Sequence, residues 1–356
     1  MHLGNVFCAL LSWLSAKSKG GEWVLRIEDL DPQRSREEYA LQLMDDLQWL
    51  GLPWDGEPVW QSQRGHIYEE YLLRLTEMGL TYPCHCTRAD IMATQAPHET
   101  DGRVVYKGTC RPRAIDAINS INSINSIDAI GSIDSTIRTV PATTRLIVPD
   151  RTIPFTDGHY GRHDINLAEH CGDYIVRRKD GAWAYQLAVV VDDALMGITE
   201  IVRGRDLLLS SPQQIHLREL LFGERKTENG TDAGSENRSK IYFDYAEQQG
   251  GKDHEAGLKR KNNSLTVHHS PLTVNFFHHP LLCNAEGQRL CKRDKSMDLG
   301  YLRNKGTTAR EIIGLLAHLA GLTDTPAPIT PTELLPLFSW DKVPTEDIML
   351  DKQIML

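Results

Sequence analysis

The chain of 356 residues is 40% hydrophobic and 24% charged, a balance that supports a globular core in one large domain or two ordinary ones. A formal net charge of −9 excludes wholesale coating of nucleic acid, so any RNA contact has to come from a local basic face. Seven cysteines scattered over this length do not form the dense framework of a small secreted domain, which leaves reduced thiols or metal ligands in a soluble, cytoplasmic protein.

In chain order, residues 5–17 read as an amphipathic helix. The apolar stretch 6–14 within it lacks the preceding basic residue of a signal peptide, and no run approaches the ~20 apolar residues that span a bilayer. Residues 22–28 read as a strand, 36–50 as a helix stopped by Gly51 and Pro53, and 64–79 as a further helix. Strand and helix signals return between 174 and 223, with an apolar run at 187–191 and an amphipathic segment at 211–222. This βα alternation on both sides of a disrupted middle predicts an α/β sheet carrying an insertion. In that middle, residues 114–137 repeat Ile at every third position, a period that fits neither helix nor strand and predicts a flexible, repeat-expanded loop. Residues 224–264, rich in Gly, Asn, Glu and Lys, predict a disordered insertion, in which the sequons at Asn229, Asn237 and Asn262 are chance matches. Residues 309–321 and 331–338 predict two short helices ahead of a polar tail.

Four strings carry chemistry. His2, Leu3, Gly4 and Asn5 open the first helix, where glycine would let a phosphate approach the backbone and the helix N-terminus would favour its charge; an ordinary helix cap is the alternative. RIEDLDPQR, residues 26–34, places three carboxylates among arginines at a strand end, which suits an ammonium pocket or plain surface ion pairing. Cys84, His85 and Cys86, followed by Tyr106 and Cys110, offer three thiolates toward a tetrahedral zinc site, against buried cysteines that merely pack. The fourth ligand is open at this point: His85 by softness, or a residue near Cys110, because a residue between two chelating cysteines usually points away. Arg289, Leu290, Cys291, Lys292 and Arg293 form a basic loop able to bring an ammonium to a triphosphate, or simply a solvated face.

Taken together with WDGEPVWQSQR, YKGTC and WAYQLAVVVDDALMGITEIVRGRDLL, these strings resemble the catalytic half of class I glutamyl-tRNA synthetases, and within that family its short glutamyl-Q tRNA(Asp) branch. The resemblance covers residues 1 to about 296 and continues weakly to about 344. It implies a Rossmann-type catalytic domain over residues 1–300, a zinc-bearing insertion at about 80–172, a short helical C-terminal segment over 301–356, and no anticodon-binding domain. By similarity His2, Gly4 and Asn5 form the HIGH element that binds ATP, with His2 and Lys292 catalytic and Lys292 in the place of the KMSKS lysine. Glu28 is implied to hold the glutamate ammonium, and Tyr185 and Arg203 to contact glutamate, the arginine as a carboxylate clamp. The implied metal ligands are Cys84, Cys86, Tyr106 and Cys110, holding one zinc ion per chain, and the spacing of Tyr106 and Cys110 fits the family's YxxxC.

The activity so implied is ATP-dependent formation of glutamyl-adenylate without tRNA, with Mg2+ accompanying the nucleotide. Transfer then goes to the queuosine base of tRNA(Asp), by a monomer that touches no membrane. Cys291 stands where the family has serine, and Arg293 where a small or polar residue is common. The family begins with a strand bearing an RFAPSPTG-like segment that contributes an arginine and a serine to the glutamate pocket, whereas this chain opens at the HIGH element. The reading therefore expects exposed strand edges, and keeps open a truncated gene model, a glutamyl-tRNA synthetase fragment and an inactive tRNA- or zinc-binding homologue.

Overall fold

The computed structural model describes residues 1–31, 35–93, 105–111, 141–223, 274–290 and 297–350. The predicted loops at 114–137 and 224–264, and Cys291, Lys292 and Arg293, lie outside the described residues.

Helix α1 (Leu3–Ser18) buries Leu3, Val6, Phe7, Leu10, Leu11 and Leu14, a 3–4 spacing that lays one full stripe against the protein. A left-handed turn at Gly20 leads to β1 (Arg26–Ile27); α2 (Glu37–Trp49) then returns the chain to β2 (Val59–Trp60), parallel to β1. Helix α3 (Gly65–Glu77) feeds β3 (Thr81–Cys84), and α4 (Arg88–Ala93) follows. Strand β4 (Thr143–Leu146) lies between β3 and the later β7 in an antiparallel sheet. Strands β5 (Thr152–Asp157) and β6 (Gly161–Asn166) make a hairpin, and α5 (Leu167–His170) leads to β7 (Ile175–Arg177).

Helix α6 (Tyr185–Leu195), strand β8 (Glu200–Gly204), helix α7 (Ser211–Phe222) and strand β9 (Asn275–His279) complete a four-stranded sheet of order β6-β5-β9-β8, in which β9 runs parallel to both neighbours. Strand β10 (Leu282–Cys283), helices α8 (Leu299–Asn304), α9 (Ala309–Leu319) and α10 (Pro331–Leu334), and strand β11 (Ile348–Met349) end the described chain. Ile312, Ile313 and Leu316 of α9 share a core with Leu10, Leu11 and Leu14 of α1, while a second core gathers α3, α6 and α7.

Two local expectations shift, and the apolar run at 187–191, unassigned in the sequence, is the middle of helix α6. The helix read over 331–338 stops at Leu334 and continues as a 3-10 turn, Leu335–Leu337, because Pro336 cannot donate to a helical ladder. The polar tail contains β11, which pairs with β10.

Two of the parallel sets, β1-β2 and the β5-β9-β8 run, are separate, with a groove of about 730 Å³ between β1 and β8, floored by Cys8, Ala9, Ser12 and Ala16 of α1. The Leu25 carbonyl accepts from the Val59 N–H at 2.9 Å, so Leu25 and Ile27 turn their backbone groups toward β2. By strand alternation Val24 and Arg26 turn theirs into the groove. On the other side the Thr199 carbonyl accepts from Asn275 at 3.0 Å, and Glu200 and Val202 face the groove in the same way. Among the described residues the Val202 carbonyl meets a distant thiol there, Cys8 Sγ at 3.8 Å. These edges predict a measurable softness. In amide hydrogen exchange, Val24, Arg26, Glu200 and Val202 should exchange about tenfold faster or more than Ile27 and Ile201, which sit in ladders; equal protection would mean the groove is closed in solution.

Candidate active site and metal centre

At the entrance of α1 the His2 backbone is extended, and its N–H donates to Asn5 Oδ1 at 3.3 Å. The His2 ring folds over Gly4: a Cβ there would lie 3.1 Å from imidazole Cε1 and Nδ1, so glycine is what lets the imidazole cover the first turn. His2 also bridges Asp298, and the Leu299 N–H donates to the Met1 carbonyl at 2.7 Å. Residues 297–299 therefore run beside the positive end of α1. Leu290 is buried and donates to the Leu282 carbonyl at 3.0 Å. Leu290 and Met297 are the described residues on either side of 291–296; Cys291, Lys292 and Arg293 lie outside the described residues.

Glu28 follows β1 at its carboxyl end, 3.3 Å from Arg26. Packing around it raises the carboxyl pKa, and the Arg26 guanidinium opposes the rise. Arg26 donates to Asp193 at 2.6 Å, and the wholly buried Asp192 accepts from Arg64 at 2.6 Å, Tyr68 at 2.7 Å and Gln61 at 2.8 Å. These two aspartates at the end of α6 fasten β1 and α3 to the helix that carries Tyr185. Their signal in the sequence is an acidic pair ending an apolar run, a place where a charge is tolerated only with partners.

Arg203 of β8 is 7% exposed. Its Nε donates to His278 Nε2 at 3.1 Å, Nη1 to Gln214 Oε1 at 2.7 Å and Nη2 to Ser211 Oγ at 2.9 Å. Among the described residues no carboxylate forms an ion pair with it. The Tyr185 hydroxyl interacts with Gln214 and Arg203; burial raises its pKa, and the charges of Arg203 and Glu28 both reach it. The structure therefore brings Glu28, Tyr185 and Arg203 into one electrostatic neighbourhood. Gln214, His278 and Asp157 belong to the same network and carry no motif that sequence reading could single out.

The third cluster sits on β3 and the segment at 105–111. Cys84, Cys86 and Cys110 place their sulfurs within 4.8 Å of one another, a geometry that could hold a metal ion. The Tyr106 hydroxyl lies 3.4 Å from Cys84 Sγ and 3.7 Å from Cys86 Sγ, and accepts from the Cys110 N–H at 2.7 Å. His85 is exposed. Burial disfavours the Cys110 thiolate, but hydrogen bonds from the Tyr106 hydroxyl and the His85 N–H outweigh it and bring the pKa down to about 7. Cys86 is pushed up to about 11, chiefly by burial. Arg145 stacks 3.8 Å over the Tyr106 ring, and Asp173 accepts from Arg111 Nε at 2.8 Å and from the Tyr82 hydroxyl at 2.6 Å, tying the residue after Cys110 to the sheet.

Comparison with known proteins now bears on this geometry. A family model described as tRNA synthetases class I (E and Q), catalytic domain, matches residues 1–229. A glutamyl-Q tRNA(Asp) synthetase from Nitratidesulfovibrio vulgaris is 34% identical over 364 residues, covering 100% of this chain and 93% of that protein. One from Neisseria meningitidis is 45% identical over 222 residues, 62% of this chain and 68% of that one. Among solved structures, a glutamate tRNA ligase from Elizabethkingia meningosepticum in complex with its amino acid superposes with a TM-score of 0.66 at 23% identity, covering 100% of this chain and 65% of that one. A glutamate-tRNA synthetase from Elizabethkingia anophelis gives 0.67 at 23% identity and 66% of its length. This chain thus spans just under two thirds of those solved proteins, and the likeness establishes the shared fold.

The cysteine cluster has a weak point in Gly172, whose φ is +62° and whose added Cβ would lie 2.4 Å from the Tyr106 carbonyl oxygen. Gly172→Ala should cost about 2–4 kcal/mol through left-handed strain and displacement of the Tyr106 segment. Thermal unfolding checks the stability, and faster labelling of Cys86 and Cys110 by a thiol reagent checks the displacement. An unshifted melting curve would mean the loop yields freely.

Proposed function

The chain belongs to the family of class I tRNA synthetases for E and Q and is a ligase of the aminoacyl-tRNA synthetase type; on that premise we propose that it activates L-glutamate with ATP and transfers it to the queuosine base of tRNA(Asp). The observation that carries the reading is the buried Arg203 guanidinium, held by three uncharged side chains and facing no carboxylate among the described residues. A buried cation with no carboxylate in direct contact, the charges of Asp193 and Asp157 reaching it only at longer range, is costly, and a ligand carboxylate is the natural group to relieve it.

Glutamate carries one cation and two anions. In the proposed pose Arg203 takes the side-chain carboxylate with the Tyr185 hydroxyl donating beside it, and Glu28 takes the ammonium. The α-carboxylate oxygen attacks the α-phosphorus of ATP, and pyrophosphate leaves as glutamyl-adenylate forms. His2, Gly4 and Asn5 at the α1 N-terminus, with Lys292, neutralise the phosphates, assisted by Mg2+. A hydroxyl of the cyclopentene ring on the modified base then attacks the activated carbonyl carbon, and AMP departs. The named relatives from Nitratidesulfovibrio and Neisseria support this choice of acceptor.

The metal centre is proposed to hold one zinc ion. Tetrahedral thiolates at ~2.3 Å from zinc stand ~3.8 Å apart, close to the 3.4 Å between Cys86 and Cys110 and the 3.4–3.7 Å from Tyr106 to the cysteines. Bound there, zinc would crosslink β3 to the Tyr106–Cys110 turn as a structural element within the insertion at about 80–172. Residues 1–300 are proposed as the catalytic unit and 301–356 as a short C-terminal segment. A second reading, a homologue that binds tRNA or zinc without activating glutamate, is favoured by the open groove between β1 and β8 beside the pocket.

ATP–pyrophosphate exchange decides between them. The proposal expects glutamate-dependent exchange without any tRNA, and Arg203→Ala should weaken glutamate binding by about 10- to 100-fold, the worth of a charge-assisted hydrogen bond or two. Exchange that appears only with tRNA(Glu) would indicate a discriminating synthetase fragment, and no heat of glutamate binding at millimolar concentration would indicate the inactive homologue. Elemental analysis should find one zinc per chain, lost in Cys110→Ser.

A further inference from the structure

We propose that Asp157 and His278 are positioning residues for Arg203: the aspartate fixes one tautomer of the histidine, and the histidine aims the guanidinium into the pocket. The proposal rests on the reading of Arg203 as the carboxylate clamp.

The three side chains come from adjacent strands β5, β9 and β8, and their order in the sheet makes a line of buried polar groups. Asp157 and His278 side chains are wholly buried. The Asp157 carboxylate accepts backbone N–H groups from His159 at 3.0 Å and Tyr160 at 2.8 Å, both on Oδ1. Its Oδ2 lies 2.6 Å from His278 Nδ1. A carboxylate fed by that many donors stays ionised; burial alone would raise its pKa, and the bonds, led by His278, bring it below the ordinary value. An ionised carboxylate can only accept, so Nδ1 carries the proton. Burial lowers the His278 pKa, which keeps the ring neutral and leaves Nε2 as a bare lone pair. That lone pair is the group to which Arg203 Nε–H points at 3.1 Å.

The tautomer is thereby determined from both ends, since a guanidinium has no acceptor to offer an Nε2–H. With Nε held by His278, the plane of the guanidinium is set, and Gln214 and Ser211 take one N–H each from the two terminal nitrogens. The remaining N–H of each terminal nitrogen is available to a carboxylate in the paired geometry that arginine favours. Gln214 and Ser211 restrain the tips of the fork; only the histidine restrains its root.

Two substitutions at His278 separate the aiming bond from the packing. His278→Gln can place an amide oxygen near the former Nε2 and keep an acceptor for Arg203, while losing the bond to Asp157. His278→Asn can keep a donor to Asp157 but withdraws the acceptor. The expected result is a KM for glutamate raised about tenfold in His278→Asn with kcat changed less than about twofold, and a KM within about threefold of wild type in His278→Gln. Amide exchange spectra of both variants establish that each is folded. In 15N-edited NMR of the full chain, His278 should show a protonated Nδ1 and bare Nε2, and the Arg203 Nε–H resonance should shift in His278→Asn but not in His278→Gln. Equal KM values in the two variants, or a protonated Nε2 in the wild type, would overturn the proposal. If the wild-type chain binds no glutamate at all, the functional reading fails, and the tautomer and the Arg203 resonance still decide the positioning role by themselves.

Discussion

Everything around the candidate pocket is arranged to keep one positive charge, that of Arg203, buried and, among the described residues, without a direct ion pair. Removing a guanidinium from water costs several kcal/mol even after relaxation, and three neutral hydrogen-bond partners recover only part of that. The sequence could have placed an aspartate where Gln214 or Ser211 stands and closed the ion pair internally. It places amide and hydroxyl groups there, which hold the geometry without consuming the charge. The site is in this sense unfinished on purpose: the electrostatic debt is left for an anion to settle, and selectivity for a carboxylate follows from the planar fork.

Holding such a group requires rigidity behind it, and the fold supplies that by spending its other buried charges on structure. Asp192 is saturated by Arg64, Tyr68 and Gln61, and Asp173 by Arg111, Tyr82 and the Val148 N–H. Each is a buried carboxylate with a full complement of donors, so each crosslinks elements without reactivity of its own. The cysteine cluster is built on the same plan, with the Tyr106 hydroxyl at its centre and Gly172 allowing the close approach of the Tyr106 backbone.

How much of this was legible in the sequence depended on whether a residue's role is local. Helices α1, α2, α3 and α9 were readable because their apolar residues keep a helical spacing. Helix α6 was not, since every residue from Leu187 to Ala194 is buried and the run has no polar face to show a period. Strand β11 is two residues long and exists only by pairing with β10, so no pattern announces it. At the site, the residue types of Glu28, Tyr185, Arg203 and the cysteines are chemically marked and stand in recognisable strings. Asp157 and His278 are 121 positions apart and look like ordinary polar residues at strand ends; only the sheet order brings them together.

The groove between β1 and β8 gives this arrangement a particular vulnerability. Glu28 stands on one wall, and Arg203 on the strand that forms the other, while among the described residues no backbone ladder joins the two. What links the two walls is the floor of α1 and, indirectly, the ion pair of Arg26 with Asp193 at 2.6 Å, which ties β1 to the end of α6, the helix that leads into β8; its side chains are 15% and 8% exposed. A partly buried pair of this kind contributes little as net stability, yet loss of one partner leaves a buried charge at a cost of about 3–5 kcal/mol. Its value lies in distance control, because the spacing between the ammonium-binding and carboxylate-binding groups is set by how far apart those walls stand. The width of the groove, and with it the fit for a zwitterion of fixed length, is therefore governed by side chains where a continuous sheet would have governed it by backbone hydrogen bonds.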